Sequence, residues 1–291
     1  MPGIHSDLLI MKHLQIVSGS ADVTFTSPNK FSFKMPNNYI SGSHHRVSLK
    51  SLVVYYSWFN VTAAKQNNVF SYIWSNGTTY QVVLDDGTWS YTDFQAYLHQ
   101  VMKMNNHYLI DPTGKDQFFI SIAANSVFYR ISLSITPVPA SLPANWTAPA
   151  GFVFPAVATT PSLIVPATEI QSYLGFNAGT YPSVPQSGLY QVNGTSAPQV
   201  TSSSSLMIMS NLAYNEYAPN QATVATFNLI PGTAPGSLIS VVPFYQDWIP
   251  VQPNKSFQYV DLFLVDQLSR PVKIEDPSGF ICTITLDTGT N

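Results

Sequence analysis

The stretch Phe257-Gln258-Tyr259-Val260-Asp261-Leu262-Phe263-Leu264-Val265, closed by the turn residues Asp266-Gln267-Leu268-Ser269, decides the fold. It is rich in aromatic and β-branched residues, contains neither Gly nor Pro, and ends in a polar cluster, which reads as a β-strand. Toward the C-terminus the pattern continues through 271–274, the turn Glu275-Asp276-Pro277-Ser278-Gly279, and the alternation Phe280-Ile281-Cys282-Thr283-Ile284-Thr285-Leu286. Toward the N-terminus it is preceded by 206–209, 222–230 and 238–244. Short strands at this regular spacing predict a β-sandwich or barrel.

The first half carries the same signal. Residues 23–26 and 31–34 alternate strictly, 47–59 is long and apolar, and 69–74 and 80–84 flank the hairpin dipeptide Asn76-Gly77. Asp85-Asp86-Gly87 then turns the chain into a helix at 91–104, with Thr92 and Gln95 as a capping box and Phe94, Tyr97, Leu98, Val101 and Met102 as its packing stripe. Strands follow at 118–122 and 127–135. Beyond them Pro137, Pro139, Pro143, Pro149, Pro155, Pro161 and Pro166 deny the chain central ladder positions. A short helix capped by Thr168 and stopped by Gly175 interrupts this excursion, and 179–205 reads as polar surface loop. The expected organisation is one discontinuous domain from 1–135 and 206–291, decorated by a Pro/Ser/Thr-rich insertion at 136–205.

Only 9% of the 291 residues are charged while 45% are hydrophobic, so Ser, Thr, Asn, Gln and Tyr must form the surface. Such a surface packs against neighbours with little ionic desolvation. The net charge of −3 argues against nucleic acid as the main ligand. The nearest thing to a basic region is Lys12, Lys30, Lys34, Arg46 and Lys50 against Asp7 and Asp22. No secretory signal and no apolar run long enough to span a membrane is present, which predicts a soluble protein made in a reducing cytosol. The sequons at Asn60, Asn76, Asn145 and Asn193 are then expected to stay bare.

Chemistry is sparse. No phosphate loop, zinc spacing or nucleophile elbow occurs. Asp85-Asp86 and Glu275-Asp276 are adjacent carboxylates beside turns, whereas glycosidase chemistry needs two carboxyls facing across a cleft. His44-His45 lacks a third ligand, and His99 and His107 fare no better as metal ligands. Cys282 sits in an apolar alternation and reads as a buried side chain. The aromatic run Tyr55-Tyr56-Ser57-Trp58-Phe59 could form a stacking platform, but alternation predicts one face in the core. No catalytic, cofactor-binding or metal-binding residue is assigned, and no cofactor is expected.

The order of features resembles a known family. The run Tyr80-Gln81-Val82-Val83-Leu84-Asp85-Asp86-Gly87-Thr88-Trp89-Ser90-Tyr91-Thr92-Asp93-Phe94 and its helix are similar to the strand, Gly-Thr-Tyr, helix passage of capsid proteins of virophages and Polinton-like viruses. Tyr173-Leu174-Gly175-Phe176 resembles their Leu-Gly-Phe segment. In the final third, Ser205-Leu206-Met207-Ile208-Met209-Ser210-Asn211-Leu212, Asn228-Leu229-Ile230-Pro231, Gly236-Ser237-Leu238-Ile239 and Val265-Asp266-Gln267-Leu268-Ser269-Arg270-Pro271-Val272 follow that family's order. The sequence departs from it at Ser269-Arg270, where Gly is usual.

A double jelly-roll major capsid protein needs about twice this length, so the resemblance is to the single jelly-roll minor capsid (penton) protein, mavirus-type virophages included. It implies an all-β fold, a single jelly-roll sandwich with a loop- and β-rich insertion and one or two short helices. It also implies homopentamers at icosahedral vertices, contact with major capsid protein capsomers, and a place in a virion assembled in the host cytoplasm. The competing functions are a carbohydrate-binding or adhesin module and a β-sandwich glycosidase.

Overall fold

The computed structural model describes residues 11–27, 29–200, 205–214, 216, 222–229 and 233–288. In chain order the first strands are β1 (Met11–Val17), β2 (Val23–Ser27), β3 (Lys30–Ile40) and β4 (Arg46–Tyr55). A middle group follows: β5 (Val69–Ile73), β6 (Thr79–Val83), α1 (Tyr91–Met104), β7 (Tyr108–Ile110), β8 (Asp116–Phe118), β9 (Ile120–Asn125), β10 (Arg130–Ile135), β11 (Ser162–Val165), α2 (Ile170–Leu174), β12 (Gly179–Tyr181) and β13 (Tyr190–Asn193). The last are β14 (Ser205–Ser210), β15 (Thr223–Asn228), β16 (Leu238–Val241), β17 (Ile249–Pro250), β18 (Ser256–Asp266) and β19 (Ile281–Asp287).

These elements form two compact units, one from the described residues of Met1–Trp58 and Ser203–Asn291, the other from Phe59–Ser202. The first is a sandwich of the sheets β1-β19-β4-β16, to which β17 adds along β4, and β15-β14-β18-β3-β2. With β2 and β17 set aside as additions, the remaining eight strands, taken in chain order, lie 1-8-3-6 in one sheet and 5-4-7-2 in the other. That order is a jelly roll, two interlocked Greek keys. The decisive stretch is its central strand β18, paired on one side with β14 and on the other with β3. Inward residues of both sheets, among them Phe31, Leu206, Leu264 and Ile284, make one core.

The second unit holds the sheets β12-β11-β5-β6 and β13-β10-β9, the hairpin β7-β8, and both helices. Helix α1 begins and ends where the periodicity predicts and buries Phe94, Leu98 and Met102. Its cap differs: the capping box joins Ser90 to Asp93, and Gln95 instead accepts from the backbone N–H of Ile122 at 2.8 Å. The short helix is not capped by Thr168, whereas Gly175 stops it at φ 72° as expected. A Cβ at Gly175 would also strike the Ser196 carbonyl oxygen. The Asn76-Gly77 hairpin closes through a three-residue loop, Ser75 to Gly77, with Gly77 at φ 83° and its N–H bonded to the Trp74 carbonyl at 2.9 Å.

The domain expectation needs correction. The boundary falls after Trp58, not after residue 135, because β5 pairs with β11 and β10 pairs with β13. Residues 59–135 therefore share sheets and core with 136–202. The prolines did not forbid strands there; Pro161 and Pro166 bracket β11, leaving its interior free to pair. Asn60 ties the two ends of this unit together, its Nδ2 donating to the carbonyls of Trp89 at 2.8 Å and Val200 at 3.0 Å. Two smaller differences concern the first unit: β1 has no counterpart in the sequence reading, and 271–274 forms an isolated bridge, Val265 to Pro271, and no strand.

Candidate assembly surface

The residues with chemical potential are scattered and occupied. Asp86 accepts from the N–H of Ala63 at 2.7 Å, and the Asp85 carbonyl accepts from Trp89 Nε1 at 2.9 Å. Glu275 pairs with Lys273 at 2.6 Å, and Asp276 accepts from the backbone and hydroxyl of Ser278. Asp276 thus holds a turn, whereas Asp86 holds the start of the short helical turn at 63–65. Among the described residues no three His, Cys, Asp or Glu side chains gather as a metal site.

His45, His99 and His107 are each held separately. His107 stacks on Trp74 with ring centroids 4.1 Å apart, and Tyr72 Oη lies 2.8 Å from its Nδ1. Burial pushes the His107 imidazole down to about 4. His99 donates from Nε2 to the Ile120 carbonyl at 2.9 Å, and burial lowers it too. His45 Nδ1 lies 2.6 Å from Tyr39 Oη, while His44 is exposed. Cys282 is fully buried and its thiol is pushed up to about 12.

The aromatic run is no platform, since Tyr56 and Trp58 are buried in the jelly-roll core, 4.4 Å apart. The basic residues of the first fifty do not converge either. Lys30 pairs with Asp261 at 2.9 Å and Arg46 with Asp287 at 2.7 Å, and the five are divided between two sheets. Of the sequons, Asn60 is buried with its amide committed, while Asn76, Asn145 and Asn193 are exposed.

What the surface does offer is apolar side chains in two runs. In the jelly roll, the loop between β16 and β17 exposes Val242, Phe244 and Tyr245, Phe244 at 89%. Under that loop lies a cavity of about 110 Å³, lined by Ser48, Val224, Tyr245 and Asp247 among others. In the second unit, the tip of the β9-β10 hairpin exposes Val127, Phe128 and Tyr129. Asn125 Oδ1 holds that tip by accepting from the N–H of Val127 at 3.2 Å, and Tyr129 takes a left-handed φ of 50°. The sequence pattern places 127–129 and 242–244 inside strands, with Tyr245 just beyond. The signal against it was three successive bulky residues at 127–129, which break alternation. Aromatic residues exposed in runs are enriched at contact surfaces with other macromolecules.

No protein-family model matches the chain, and no curated protein matches its sequence. Among solved structures, the chain is similar to a crystal structure of the mavirus penton protein, at TM-score 0.48 and 9% identity over 96% of this chain and 99% of that one. It is also similar to the cryo-electron microscopy structure of the Sputnik virophage, at TM-score 0.40 and 14% identity over 96% of this chain and 98% of that one.

Proposed function

We propose that this chain is a minor capsid protein that forms the pentameric vertex of an icosahedral virion and abuts the major capsid protein there, acting by assembly and not by catalysis. The observation that carries the reading is the jelly-roll strand order of the first unit, in which the capsid-like motifs of the final third cover β14, lead into β16 and form the turn that follows β18, while 230–231 of the motif at 228–231 lie outside the described residues. The sparse charge and the two exposed aromatic runs support it, because both favour burial against other subunits. The number five comes from the sequence resemblance alone. The vertex role places the protein in the virion, with assembly in the host cytoplasm.

Localisation in purified particles tests this. Density for the chain at five-fold positions is the expected result; density at hexameric positions only, or absence from virions, would overturn it. A monomer in dilute solution is compatible, since local concentration in a shell closes weak rings.

A further inference from the structure

The first jelly-roll sheet is four strands wide, since β17 lies beside β4 on the same side as β16, and each neighbour in β1-β19-β4-β16 is antiparallel to the next. Its two outer edges, β1 and β16, unpaired among the described residues, therefore run in opposite directions. A second copy brought alongside by rotation about an axis along the strands sets its own β1 antiparallel to β16, the more stable kind of ladder. The other sheet, β15-β14-β18-β3-β2, has an odd number of strands, so its edges would meet in parallel.

Height and charge agree at the β17 end of that edge, while β16 itself is level with β1 only at the rows of Ile16 and Val17. Lys12, Leu286, Val47 and Ile249 stand opposite one another in a single row across the sheet. The β1 edge and the β17 end of the other edge are thus level, with Asp247 just before Ile249. Lys12 and Asp247 are both exposed, and neither makes an ion pair among the described residues. The same edge carries the exposed Leu238, Val242, Phe244 and Tyr245, and β1 exposes Met11.

We propose that copies of this chain associate head to tail, the β16 edge and its 242–248 loop of one against the β1 edge of the next, with Lys12 facing Asp247. This names the subunit contact of the vertex and rests on that reading. The contact joins two different patches, so repetition by pure rotation closes a ring where the angle divides the full turn.

The test is a chain carrying both Lys12→Cys and Asp247→Cys, oxidised while self-associated or in particles. Within one copy these positions lie on opposite edges, about 14 Å apart at three strand spacings, beyond the roughly 7 Å reach of a disulfide. Any link is therefore between copies, and buried Cys282 does not contribute. A covalent ladder is expected from the double variant and none from either single one. In addition, Lys12→Glu or Asp247→Lys should weaken association about two- to fivefold, and the combined reversal should restore it. Dimers from Lys12→Cys alone, or assembled double variant without a ladder, would overturn the edge contact and leave the vertex reading standing. A protein that neither self-associates nor enters particles would sink both.

Discussion

The rings of Phe31 and Phe280 stack 3.6 Å apart at an interplanar angle of 8°, joining the two sheets of the jelly roll through fully buried side chains. Phe31→Ala removes this contact and leaves a cavity, so the jelly roll should lose about 3–5 kcal/mol, and Phe31→Leu much less. The shift of the urea midpoint at unchanged slope measures it; equal effects of the two substitutions would show that the site collapses freely.

His107 makes the second unit acid-sensitive. Its folded value of about 4 lies below the ordinary 6.5, so the unfolded chain binds the proton more readily. Stability is complete above pH 6.5 and is lost as pH falls toward 4, by on the order of 1–3 kcal/mol. Denaturation followed by the near-ultraviolet signal of Trp74, its stacking partner, should show the loss, and His107→Phe should flatten it across that window.

Cys282 should be inert in the native protein. A thiol held up at about 12 and fully buried presents almost no thiolate at neutral pH. Labelling should stay slow until denaturant is added and then reach one equivalent; fast native labelling would contradict the burial of β19.

Tyr129 holds a left-handed φ of 50° at an exposed hairpin tip, a conformation costly for a bulky residue. Tyr129→Gly should therefore leave stability unchanged or raise it by about 1 kcal/mol while removing the exposed ring. If thermal stability instead falls by that much, the ring is packed in the isolated protein.

The strands β18 and β19 and helix α1 could be read from the sequence because each buries one face at a regular period. Strand β1 could not: in Met11–Val17 only Ile16 is buried, and Lys12, opposite Leu286 on the core-facing row, is exposed at the edge, which leaves Leu14 and Ile16 too short an alternation to read. The unit boundary hid for a different reason. The chain leaves β4 through Tyr56-Ser57-Trp58-Phe59 with no Gly or Pro to mark it, whereas the proline-rich change at 136 lies inside the second unit. The exposed stretches 127–129 and 242–244 read as strand because apolar residues usually signal burial. Only tertiary context shows them facing solvent.

The tie from Asn60 to Val200 has a consequence for biogenesis. On the ribosome, β4 emerges long before the partners β16 and β19 that complete its sheet, and the whole of 59–202 lies between. That middle segment is continuous in sequence and can condense first, as domains do during synthesis. Once it has, its joined ends present the two halves of the jelly roll to each other as though across a short loop, lowering the entropic barrier to closure by about 2 kcal/mol. The inserted unit thus acts as a folding clamp for the jelly roll, and a lesion in its base should slow maturation of that sandwich.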